Sequence, residues 1–291
     1  MAKDTLTYYF GRFNITAVFD SKYEFLKATF KTEEVLDRYG HSWGFFNIAE
    51  LIEPKLGAFF TGYLAKFKDE QDEEKVNVDL HQIETEVAED RVRAKSRFFL
   101  HVKSGLIAFH PVGEQITDRQ FRARFAELVK HANGDFFVDA EVVAIETRGK
   151  FFDLLRKFTS VKHLNIWLHP SNPSNSDAWQ AIDQRLKKLN AHRYNERYAL
   201  KGGLNGSAFE EDSDIVSKVT MAEDGYGVAV AIGKRDGKLA YASTQDNYVT
   251  AESLNDKADA NSVFSRLIGT FEDIGKRFTR SPGIEPENPI I

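Results

Sequence analysis

Residues 222–244 read AEDGYGVAVAIGKRDGKLAYAST, with Gly225, Gly227, Gly233 and Gly237 crowded into thirteen positions. A phosphate-binding loop needs a strand, then the glycines, then a helix whose N-terminus faces the anion. The order here is reversed. Ile215, Val216, Val219 and Ala222 recur at helical spacing behind the capping residues Asp212 and Ser213, so Gly225 falls where a helix closes on a left-handed residue. Val228, Val230 and Ile232 then alternate with Ala229, Ala231 and Gly233, a strand with one bulky and one small face. Asp236-Gly237 supplies the positive φ of a tight hairpin, and residues 239–244 run back. The stretch predicts helix, strand, turn and strand, and no nucleotide loop.

Working outward, residues 161–169 (VKHLNIWLH) predict a strand and PSNPSNS a polar loop before a helix marked by Trp179, Ile182, Leu186 and Leu189. RYNERYALKGG is the returning strand, completing a βαβ-like unit. A last helix over about residues 262–278 carries Phe264, Leu267, Ile268, Phe271, Ile274 and Phe278 as one broad apolar face, the pattern of a helix laid on a sheet.

Toward the N-terminus, residues 5–19 alternate as a strand, residues 21–40 form a helical or mixed segment ending at Gly40, and LGAFFTGYLAKFK is a further strand. Residues 96–110 form a hairpin turning at Lys103, Ser104 and Gly105. Thr117 and Gln120 have capping-box spacing, Phe121, Phe125, Leu128 and Val129 form the apolar stripe, and Asn133-Gly134 ends the helix. DFFVDAEVVAIE returns as a strand. The expected fold is α+β: two sheet-plus-helix halves, antiparallel or mixed sheets with helices on one face, divided as 1–150, 151–280 and a tail 281–291.

With 291 residues, 42% apolar content and 24 Phe, the chain can bury one large core or two ordinary ones. Cysteine is absent, which excludes disulfides, thiolate catalysis and Cys-ligated zinc and fits a reducing cytoplasm. No signal-like segment or long apolar run occurs, so the expectation is a cytoplasmic protein with no membrane partner. The net charge of −5 supplies no global basic field; contact with nucleic acid must be local.

Chemistry is sparse. No HExxH, GxSxG, GxxxxGK[ST] or GxGxxG motif is present, and no cofactor or metal is expected. Arg124 and His131, seven apart on one helix, have a spacing that some helical ribonucleases use, yet a histidine near a helix C-terminus is favoured by the dipole alone. Together with His101 and His110 they are the candidates for a nuclease site. Asp139, Glu141 and Glu146 invite comparison with metal-dependent nuclease strands, but the lysine two residues past a glutamate is missing, and a solvated strand face accounts for them. The balance is against an enzyme.

Charge is patterned more sharply. Residues 69–90 hold ten acidic residues and one lysine, and the next seven, RVRAKSR, hold four basic ones. On a strand Arg91, Arg93, Lys95 and Arg97 project from one face. Either the adjacent acidic run (Glu84, Glu86, Glu89, Asp90) neutralises them, as its sign and proximity favour, or a phosphate backbone does. A second basic segment holds Lys187, Lys188, His192, Arg193, Arg197 and Lys201 with Tyr194 and Tyr198 interleaved, the composition of a single-strand binder. Three functions stand: a module binding RNA or single-stranded DNA through Arg91, Arg93, Lys95, Arg97, Lys187, Lys188, Arg193, Arg197 and Lys201; a nuclease assembled from distant residues; and an interaction subunit that binds a protein partner or its own copy.

YYFGRFNI, FRARFAELVKHANGDFFVDAEV and AEDGYGVAVAIGKRDGK together resemble a family of uncharacterised bacterial proteins known only as a domain of unknown function. The resemblance covers most of the chain and implies a bacterial accessory or antiviral-defence protein associated with mobile elements. It assigns no residue a role.

Overall fold

The computed structural model describes residues 5–16, 20–77, 82–135, 138–171, 176–255 and 257–277, with backbone alone over 68–91. In chain order the elements are β1 (Thr5–Thr16), α1 (Lys22–Lys31), β2 (Leu36–Arg38), β3 (His41–Glu53), β4 (Gly57–Asn77), β5 (Gln82–His101), β6 (Leu106–Phe109), α2 (Asp118–Ala132), β7 (Asp139–Ala144), α3 (Lys150–Leu155), β8 (Ser160–Leu168), α4 (Gln180–Lys188), β9 (Tyr194–Leu204), α5 (Ser213–Met221), β10 (Gly227–Arg235), β11 (Lys238–Ser243), β12 (Thr250–Leu254) and α6 (Ala260–Lys276). The fold is α+β, and every described strand pairing is antiparallel. No described helix is long and apolar enough to cross a membrane.

Two compact units divide the chain, Met1–Glu146 with Asn247–Leu267, and Thr147–Asp246 with Ile268–Ile291. Residues 247–267 belong to the first unit because β12 pairs with Thr5–Tyr9 of β1.

The first unit is an eight-stranded sheet in the order β12-β1-β6-β5-β4-β3-β2, with β7 pairing Gly11–Thr16 of β1. The capping box at Thr117 and Gln120 forms as expected, satisfying N–H groups that have no partner inside the helix. From α2, Phe121 stacks on Phe109 of β6 with centroids 4.2 Å apart, and Phe125 packs edge-on to Phe98 of β5. All four rings are fully buried, worth about 1.5–3 kcal/mol each. On the other face Phe264 of α6 packs against Phe59 and Phe99.

The second unit is a four-stranded sheet in the order β11-β10-β8-β9. Leu164, Ile166 and Leu168 of β8 and Ala229 and Ala231 of β10 share one core with Phe151 of α3, Leu186 of α4, and Ile215 and Val219 of α5. The helices therefore cover one face. β8 and β9 flank α4 but lie antiparallel, so the expected βαβ-like unit is not a parallel crossover; a loop and α4 go out and return at one end of the sheet.

The stretch 222–244 folds as its glycine order requires. Asp212 caps α5, the helix ends in one wide turn with Gly225 at φ 84°, and β10 and β11 meet at Asp236 (φ 49°) and Gly237 (φ 77°). Gly233 has a separate reason. A Cβ there would lie 2.1 Å from the Ser160 carbonyl oxygen of β8, so only glycine lets the strands approach this closely.

Candidate nucleic-acid interface

The alternation that puts Leu164, Ile166 and Leu168 in the core places His163, Asn165 and Trp167 on the opposite face of the second unit's sheet. Register builds that face in rows. Asn195, Trp167 and Val228 stand side by side; Arg197, Asn165, Val230 and Ser243 form the next row; Ala199, His163, Ile232 and Tyr241 the third; and Ser160, Lys234 and Leu239 the fourth. A bulge between Val161 and His163 carries Lys162, and Lys201 follows Ala199 along β9.

Exposure follows the rows. Arg197, Lys201, Lys234, Leu239 and Tyr241 are exposed, while Trp167, His163, Asn165 and the three aliphatic residues of β10 are half-buried by their neighbours. The face is cationic without compensation. Its strand positions include no Asp or Glu, and Lys162, Arg197, Lys201 and Lys234 enter no ion pair among the described residues. Cations that their own protein leaves unpaired on an aromatic surface suit phosphate and base together. Trp167 and Tyr241 lie two rows and two strands apart, roughly 17 Å at about 3.4 Å per residue and about 4.8 Å per strand, far enough to stack on different bases.

The basic segment 187–201 is thereby split. Arg197 and Lys201 lie on the open face, and Arg193 is exposed one residue before β9. Lys187 and Lys188 belong to α4 in the helical layer, where Lys187 pairs with Asp183 at 2.6 Å and donates to Ser171 Oγ. Tyr194 and Tyr198 do not interleave with the cations. Strand alternation sends both to the helical side, where their hydroxyls donate to Glu196, which also holds Lys218 of α5. Burial and the Glu196 carboxylate push both phenol pKa values up. The aromatics of the open face are Trp167 and Tyr241, legible in WLH and LAYAST only once β8 and β11 are known to be neighbours of β10.

The basic run in the first unit is dispersed too. Phe67 pairs with Val92 but Lys66 with Ala94, so Arg93 is an extra residue on β5 that inverts the alternation. Arg93 thus stands outside the alternation that Lys95 and Arg97 share, and the expectation of four cations in one row is corrected; the side chain of Arg91 lies outside the described residues. Arg93 and Lys95 are exposed. Arg97 is buried, its guanidinium donating to Tyr63 Oη and to the Ala258 carbonyl at 3.0 Å, with Lys95 over the Tyr63 ring. The side chains of the acidic residues expected to neutralise them, Glu84, Glu86, Glu89 and Asp90, lie outside the described residues, and only the backbone register is described. Arg91, Lys95 and Arg97 face Lys68, Ala65 and Tyr63, while Glu70 faces Glu89 and Glu73 faces Glu86.

The nuclease candidates do not converge on one site. Both ring nitrogens of buried His101 are engaged, by Ser104 Oγ and by the Leu56 carbonyl. Arg124 pairs with Glu127, and His131 lies 3.6 Å from Glu34. His110 borders a cavity of about 640 Å³ with Asp118 and Glu252, but its Nδ1 donates to the Thr7 carbonyl, Asp118 accepts from Tyr248 and Arg122, and Glu252 from Thr7. Asp139 pairs with Lys130, and fully buried Glu146 accepts from Asn247. Among the described residues no group of three His, Asp or Glu side chains is placed to hold a metal ion.

The chain belongs to the family described as a domain of unknown function, DUF4747, whose model matches residues 6–269. The match takes in both sheets. No curated protein matches the chain.

Proposed function

We propose that the second unit binds single-stranded nucleic acid on the open face of its sheet, with Arg197, Lys201, Lys234 and Lys162 on the phosphates and Trp167 and Tyr241 under the bases. The observation that carries this reading is the unpaired cationic and aromatic surface with no carboxylate among its strand positions. An exposed sheet displaying aromatics between cations meets an unstacked strand on both its charged and its flat surfaces. Double-stranded nucleic acid hides its base faces and cannot use the aromatics. The antiviral-defence setting enters the proposal through the sequence resemblance alone.

The test is fluorescence anisotropy on labelled 12-mer RNA and DNA, single- and double-stranded, across a salt series. Single strands bind preferentially, and Arg197→Gln with Lys234→Gln flattens the slope of log affinity against log salt by about 1.4 for two lost contacts. A slope unchanged by the double variant, or equal affinity for duplex, overturns the reading.

A further inference from the structure

Three atoms on the open face lack what buried polar atoms ordinarily have: Ser160 Oγ at its edge, and two at its centre. Asn165 Oδ1 and His163 Nδ1 are both shielded from solvent and have no hydrogen-bond partner. Native proteins pair nearly all such groups, and an exception calls for a reason. Here the two belong to consecutive outward positions of the same central strand, β8, in the second and third rows of the face. They lie between Trp167 on one side and Tyr241 on the other, with Arg197 directly across from Asn165. The unfilled acceptor sits in the middle of the surface that also offers stacking and charge.

Resting on the reading of this face as a nucleic-acid surface, we infer that Asn165, assisted by His163, selects the base stacked there, and that it selects for an exocyclic amino group. A carbonyl oxygen accepts and cannot donate. The ligand group that completes Asn165 Oδ1 is therefore an N–H donor, and the amino groups of adenine N6 and cytosine N4 project from the base edge. Uracil and thymine carry a carbonyl oxygen in place of that amino group, so they can meet Asn165 Oδ1 only by turning the ring N3–H toward it. Burial sharpens the choice, since a mismatched polar group has no water to turn to. Val230, on the other side of Asn165 in the same row, offers no competing hydrogen bond from its side chain.

The experiment compares oligo(rA), oligo(rC) and oligo(rU), and oligo(dA), oligo(dC) and oligo(dT), at one salt concentration with the full chain. The wild type is expected to bind the adenine or cytosine strands at least about fivefold tighter than the uracil and thymine strands. Asn165→Ala and the strand-compatible Asn165→Thr bring those affinities together while leaving the uracil affinity unchanged, and circular dichroism checks that both variants keep the wild-type fold. Wild-type binding of all homopolymers alike sinks this inference and leaves the reading of the face standing. An equal loss for every base in both folded variants also sinks it, because Asn165 would then support the surface and not choose among bases. Absence of binding to any strand overturns the inference together with the reading beneath it.

Discussion

Arg148 grips Asp224 with two nitrogens, at 3.1 and 2.6 Å, and the carboxylate it holds is completely buried. Trp179 Nε1 donates to the same carboxylate at 2.9 Å, and Arg277 approaches to 3.6 Å. Beside it Glu223 accepts from the backbone N–H groups of Gly149 and Phe151 at the start of α3. The wide turn after α5 thus anchors the entrance and the helical layer of the second unit. Removing one partner of a buried ion pair strands the other. Asp224→Ala is expected to lower stability by about 3 kcal/mol or more, read by urea denaturation; a loss below 1 kcal/mol would show that the cluster is dispensable.

The hairpin offers a cleaner test of backbone conformation. A Cβ on Gly237 would meet nothing within 4 Å, so any penalty comes from its φ of 77° and not from a clash. Gly237→Val should cost about 1 kcal/mol or more, and Gly237→Asn much less, since asparagine tolerates the left-handed region. Thermal unfolding of the two variants checks the ranking, and equal melting temperatures would refute the argument.

Lys22, at the first position of α1, supplies a pH dependence. Burial, aided by the nearby Arg12, depresses its pKa to about 8 from 10.5. Between those values the unfolded chain binds more protons than the folded one, so this group makes stability rise with pH through that window and costs stability below it. Lys22→Met should raise stability at pH 7 and flatten the rise between pH 8 and 10.5. Chemical denaturation at pH 7 and pH 9.5 measures both; an unaltered difference between the two pH values would contradict the assignment.

The β5 cations separate structural from surface charge. Changing Arg97 to Gln removes buried hydrogen bonds to Tyr63 and the Ala258 carbonyl and should cost about 2 kcal/mol in stability. Changing exposed Arg93 and Lys95 together to Gln should leave oligonucleotide affinity close to wild type, since the proposed interface lies elsewhere. A flattened salt slope in that double variant would return the first unit's strand to the interface.

What the sequence determined by itself was local. The order of glycines after a helix excluded a nucleotide loop, Asp236-Gly237 fixed a hairpin, and Thr117 with Gln120 fixed the start of α2, because caps and turns depend on residues a few positions apart. The parity of His163, Asn165 and Trp167 against Leu164, Ile166 and Leu168 was also readable in the sequence. Which strands stand beside β8 was not. Tertiary pairing alone brought Arg197 beside Asn165 and Tyr241 into the row of His163, sent Tyr194 and Tyr198 to the helical side, and inserted at Arg93 the extra residue that breaks the basic row. Strand order and register are set by long-range burial and cross-strand packing, so a surface assembled from four strands exists only once the sheet has formed.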